Sequence, residues 1–164
     1  MKKLFLAFEQ RVTSVIIVIG CVLLGIASTL GMLQVLSRFI FNQPITWSEV
    51  LIRLVIIWMV MFGVVVAFRE GAQVSVDLMF RLSSGRWRRI LHFLITLVAV
   101  VFLATLVWHG VDIVWRTRFQ QIGGMEFLPM SFGYAALPVG AFFAIIAAIA
   151  NYLDPRHAEL ETQQ

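Results

Sequence analysis

Between Arg11 and Arg38 the chain runs for 26 residues without a charged side chain. An α-helix rises about 1.5 Å per residue, so this stretch is long enough to cross a hydrocarbon layer about 30 Å thick. Three more runs share its character. The run from Thr46 to Phe68 is apolar from Leu54 onward but carries Glu49 and Arg53 in its first two turns; Ile90 to Val111 is uncharged; and Phe127 to Leu153 is predicted helical from about Ser131. The expected fold class is therefore an all-α membrane protein, one domain over residues 1–164. Its four transmembrane helices fall at about 12–36, 46–68, 90–115 and 131–153, followed by a short tail over 154–164.

Composition supports this reading by exclusion. With 60% hydrophobic and 13% charged residues among 164, a soluble domain has too little interior to bury so much apolar surface. The same balance excludes disorder and a disulfide scaffold. The single cysteine, Cys21, lies inside an apolar run and reads as a small buried hydrophobe. Lys2 and Lys3 precede the first run as they would in a signal peptide. That run is longer than a usual h-region of about 7–15 residues and ends at no small-x-small site, so it reads as a retained helix.

Thirteen Lys and Arg against nine Asp and Glu give a formal charge of +4. In a membrane chain these cations are an orientation signal rather than a nucleic-acid footprint. With the N-terminus inside, Lys2, Lys3, Arg11, Arg69, Arg81, Arg86, Arg88, Arg89 and Arg156 fall on the cytoplasmic side, and Arg38, Arg53, Arg116 and Arg118 on the other. Both termini are expected in the cytoplasm. In the connection between the second and third spans, Val74, Leu78 and Leu82 recur at helical spacing beside Asp77 and the basic cluster Arg81, Arg86, Arg88 and Arg89. This predicts an amphipathic helix over about 74–89 lying on the membrane surface, its arginines near anionic lipid headgroups. A partly ordered loop is the alternative.

Chemistry-bearing constellations are sparse. Glu49 and Arg53 are one helical turn apart with the acid nearer the N-terminus, the better orientation for an ion pair, and Arg53 can snorkel outward to reach it. Asp112 and Arg116 repeat the spacing, with His109 one turn earlier. Both pairs read as interfacial clusters in preference to an ion-coupling site, although an ionisable group in a membrane is a functional candidate by default. His92 and His109 lie 17 residues apart on one span, about 25 Å by helical rise, and cannot jointly ligate a haem iron. No catalytic residue, metal site or cofactor is expected. Small residues at four-residue spacing, Cys21, Gly25 and Thr29 in the first span and Ala136, Gly140, Ala144 and Ala148 in the fourth, permit close helix approach, either inside the chain or to a partner. Pro138 is expected to kink the fourth span.

The most distinctive stretch is Arg38-Phe39-Ile40-Phe41-Asn42-Gln43-Pro44-Ile45-Thr46-Trp47-Ser48-Glu49, followed by Arg53. Physically it is a hairpin between two spans: Asn42 and Pro44 make the turn, Trp47 anchors at the interface, and Thr46 or Ser48 caps the new helix. It resembles the R-x-x-F-N-x-P-x-x-W-S-E-E signature of the small membrane subunit, the DctQ-like Q component, of tripartite ATP-independent periplasmic (TRAP) transporters, with Val50 at the second acidic position. Ala67 to Asp77 is similar to the family's A-x-R-x-G-x-H-x-x-V-D segment, with Gln73 replacing the histidine. Phe127-Leu128-Pro129, leading through Tyr134 to Leu137-Pro138-Val139-Gly140, is similar to the family's entry into its last helix.

The resemblance implies a scaffold subunit in a bacterial inner membrane. Such a subunit braces a large transport subunit, the M component, and helps to dock a periplasmic substrate-binding protein, the P component, for sodium-coupled uptake of an organic anion such as a carboxylate or sugar acid. It implies that Arg38, Asn42, Pro44, Trp47, Glu49 and Arg53 shape the subunit contact. Membrane lipids are further partners. The competing readings are an autonomous small oligomeric transporter or channel, with Glu49 and Arg53 lining its path, and a membrane anchor of a redox complex.

Overall fold

The computed structural model describes residues 2–40, 46–71, 86–123 and 125–154. They form four long helices, α1 (Lys2–Ile40), α2 (Thr46–Glu70), α3 (Arg86–Thr117) and α4 (Met130–Leu153), with a small antiparallel hairpin of β1 (Gln121–Ile122) and β2 (Met125–Pro129) between the last two. All four helices are long and apolar enough to cross a membrane. The fold is a multi-pass helical one. Asn42, Pro44, Arg81, residues 74–85 of the expected surface helix (74–89) and the tail from 155 onward lie outside the described residues.

Helix ends depart from the sequence expectation in two places. α1 begins at Lys2, about ten residues before the expected start, and its 39 residues span about 58 Å, nearly twice a hydrocarbon thickness. The extension follows a packing pattern: Glu9, Thr13, Ile16, Gly20, Leu23, Ala27, Leu30, Gln34 and Ser37, in alternating steps of four and three, are buried or half-buried, with Phe5, Leu6, Val12 and Gly31 half-buried beside them. That 3.5-residue period keeps one seam on the α2 side of the helix from Glu9 to Ser37. Cys21 lies off the seam and is exposed, which corrects its reading as a buried side chain. At α3, the arginines Arg86, Arg88 and Arg89 belong to the first turn of the transmembrane helix, not to the end of a separate surface helix.

The helices are arranged in the order α1, α2, α4, α3. α2 packs against α1 on one side and α4 on the other, α3 packs on α4, and α1 meets α4 only sparsely. Of the two inner helices of this row, α4 is the one whose buried face is made mostly of small residues. Ala136, Gly140, Ala144 and Ala148 are buried, and a Cβ added at Gly140 would come within 2.7 Å of the Met61 Cβ on α2. On the α3 side a Cβ at Gly110 would meet Pro138 at 2.9 Å. Glycine at both positions lets backbone approach backbone, the source of association energy where lipid cancels the hydrophobic difference. Pro138 stays inside a continuous α4. Ile16, Val65, Leu103, Ala141, Ala144 and Ala147, drawn from all four helices, form the core.

Candidate functional site

The polar groups gather at the two ends of the helix row. One end carries the β-hairpin. At the other, α2 stops at Glu70 because Gly71 takes φ 61°, a left-handed conformation open to glycine, which leaves Arg69 in the last turn. Arg69 points inward. Its Nε donates to Glu9 Oε2 of α1 at 2.7 Å, its Nη1 donates to the Asp154 carbonyl oxygen at 3.1 Å, and its Nη2 lies 3.6 Å from Asp154 Oδ2. Thr13 Oγ1 donates to the second carboxylate oxygen of Glu9 at 2.7 Å. The Arg69 and Glu9 side chains are 1% and 2% exposed.

One guanidinium therefore joins three helices. It neutralises a carboxylate on α1 and satisfies a backbone carbonyl just past the end of α4, a group that otherwise has no partner within the helix. Each Glu9 oxygen thus accepts a hydrogen bond, and the pair is almost wholly buried. Nearby, His92 of α3 stacks on Tyr152 of α4 with ring centres 5.1 Å apart, so α3 is tied to the same end. Sequence reading missed this clamp. From the sequence alone Arg69 reads as an orientation charge, Asp154 as the start of the tail, and Glu9 carries no signal of its own. The available signals were the four-residue step from Glu9 to Thr13 in phase with Ile16, and an arginine two residues before a helix-ending glycine.

At the hairpin end the expected residues are spread over the surface. Glu49 and Arg53 do pair, one turn apart on α2, with Arg53 75% and Glu49 54% exposed. Arg38 is exposed in the last turn of α1, where a cation suits the helix dipole. Trp47 is also exposed and Ser48 beside it is fully buried. Asp112 and Arg116 form a second exposed pair at 2.9 Å. Arg118 lies over the rings of Trp115 and Phe119 at 4.0 and 4.5 Å, an arrangement not foreseen from the sequence.

Residues 27–156, well over half of the chain, match the family described as tripartite ATP-independent periplasmic transporters, DctQ component. The chain belongs to this family. A putative TRAP transporter small permease protein of Haemophilus influenzae (strain KW20 / Rd) is 26% identical over 132 residues, covering 80% of this chain and 81% of the relative. The sialic acid TRAP transporter permease protein SiaT of Haemophilus influenzae (strain 86-028NP) is 28% identical over 118 residues, 71% of this chain. The isethionate TRAP transporter permease protein DctMQ of Oleidesulfovibrio alaskensis is 26% identical over 94 residues, 57% of this chain. The chain spans only 19% and 15% of the length of those two proteins. This DctQ-family chain is thus a small permease subunit of TRAP type.

Proposed function

We propose that the subunit is the fixed brace of a TRAP transporter, holding the large transport component in the bilayer and helping the substrate-binding protein to dock. The observation that carries this reading is the Arg69 clamp. The buried charge of the described fold is spent on locking α1, α2 and α4 together, and the uncharged middles of all four helices offer neither ion nor substrate a polar route. A rigid element of that kind suits a component against which another one moves. No catalytic role belongs to it.

In this reading the membrane is the bacterial inner membrane, both termini are cytoplasmic, and the clamp end faces the cytoplasm. Arg38, Asn42, Pro44, Trp47, Glu49 and Arg53 then shape the periplasmic contact with the large component. Arg116 and Arg118, the latter on its aromatic platform, stand where a binding protein docks. Arg81, Arg86, Arg88 and Arg89 meet anionic headgroups, each cation contributing about 1 kcal/mol near a charged leaflet. The cargo is an organic anion, the class to which the sialic acid and isethionate named for two relatives belong, and its uptake is coupled to sodium.

The test is reconstitution. Co-expressed with a large TRAP transport component, the subunit should copurify in a stable complex, and sodium-dependent uptake into liposomes should require both components and the binding protein. Uptake by this chain alone would overturn the brace and favour an autonomous transporter.

A further inference from the structure

At the hairpin end α2, β1 and α4 do not close on one another but leave a hollow of about 390 Å³, within the range of about 300–1,000 Å³ usual for small-ligand sites. Leu54 and Ile57 of α2, Ile122 of β1, and Gly133 and Leu137 of α4 make its wall, and Arg53 also lines it. Most of the Arg53 side chain is exposed, so its guanidinium stands at the mouth. There it pairs through Nη2 with Glu49. A guanidinium carries five N–H donors, so this contact leaves others for a second anion, and the Glu49 carboxylate is itself half exposed. The mouth thus presents a cation and an anion one helical turn apart, above an apolar slot.

We infer that this slot holds one acyl chain of a zwitterionic, amine-bearing phospholipid, with its phosphate on Arg53 and its ammonium on Glu49. Three features select this occupant. Ile57 and Leu137 lie within the apolar spans, where lipid is the solvent. A peptide inserted here would bury backbone N–H and C=O groups against a wall that, apart from Arg53 and Tyr134, offers no side-chain nitrogen or oxygen; an acyl chain brings none to satisfy. Finally, Glu49 beside Arg53 repels a wholly anionic headgroup and attracts one bearing an ammonium. The inference stands apart from the brace reading, because binding is measured on this subunit without its partners.

Gly133 supplies the decisive variant. A Cβ there would meet nothing within 4 Å, Gly133 lines the slot, and leucine is the better helix former, so Gly133→Leu is the variant that puts bulk into the slot. The full chain is extracted in mild detergent, washed, and examined by native mass spectrometry. It is then reloaded from mixed micelles containing phosphatidylethanolamine or phosphatidylglycerol. The expected result is one retained phosphatidylethanolamine per chain and weaker reloading with phosphatidylglycerol. Arg53→Gln should weaken retention about tenfold, the size of one lost charge-assisted hydrogen bond. Gly133→Leu should abolish retention with an unchanged or raised melting temperature. Retention by Gly133→Leu equal to the parent overturns the proposal, as does a bound-lipid composition that mirrors the bulk membrane. So does crosslinking from position 137 to the large component in the intact complex, which would assign the slot to the partner. Should Gly133→Leu fail to fold, the Arg53→Gln and Glu49→Gln reloading ratios decide: both variants must lose preference for the amine-bearing headgroup.

Discussion

Replacing Arg69 with methionine removes a buried cation and strands the Glu9 carboxylate, 2% exposed, with Thr13 as its remaining hydrogen-bond donor. Breaking a buried pair in this way costs about 3–5 kcal/mol, which includes the lost hydrogen bond to the Asp154 carbonyl, worth about 0.5–1.5 kcal/mol by itself. Glu9→Leu should fall at the lower end of the range, because Arg69 keeps Asp154 on its other face. The informative measurement is the double variant. With both charges gone nothing buried is left unpaired, and Glu9→Leu with Arg69→Met should return to within about 1–2 kcal/mol of the parent, the residue being the lost carbonyl cap. Equilibrium unfolding of the purified chain in mixed detergent micelles, read by tryptophan fluorescence, gives all three values. Single variants within about 1 kcal/mol of the parent, or a double variant as damaged as the sum of the singles, would refute a clamp made of mutually dependent charges.

Other perturbations probe the rest of the frame. Gly140→Leu, driven against Met61 at 2.7 Å, should cost about 1–3 kcal/mol by overpacking; Gly20→Ala, with open space around the added methyl, should gain about 0.5–1 kcal/mol in the same unfolding assay. Glu49→Gln should change the stability of the isolated chain by less than about 1 kcal/mol, since the pair is largely in solvent. If it abolishes uptake while the subunit still assembles with the large component in full yield, Glu49 belongs to a transport path and the brace reading fails. Changing Arg86, Arg88 and Arg89 together to glutamine weakens the cationic bias of one side, and reporter fusions at the C-terminus should then show a mixed orientation.

What was legible in the sequence depended on how far apart interacting residues lie. The four helices announce themselves through uncharged runs, each read within its own segment. The pairs Glu49–Arg53 and Asp112–Arg116 are equally local, four residues apart, and were foreseen. The Arg69 clamp joins residues 60 and 85 positions apart, and no periodicity links them, so the buried charge went unrecognised while the exposed charges drew attention. The hairpin over Gln121–Pro129 is another miss. A two-residue strand paired across Gly123-Gly124 carries too few residues for an alternating pattern to show. The small-residue ridge on α4 was visible, yet only the packing resolves what it faces: Gly140 meets α2, and the opposite side of the helix, at Pro138, meets α3.

The order of helices in space bears on how the chain is built. α2 and α3 follow one another in sequence, yet α4 lies between them and is the neighbour on which α3 packs. A ribosome delivering this chain into a membrane therefore releases α3 into lipid before its docking surface exists. The α1–α2 pair can form early along its continuous seam, but Arg69 waits for Asp154 to complete its contacts. The fourth helix, whose buried face is mostly alanine and glycine, arrives late as a wedge that closes the subunit from within. A nascent chain stalled before Met130 would leave one assembled pair and one solitary helix, a species for membrane quality control to recognise.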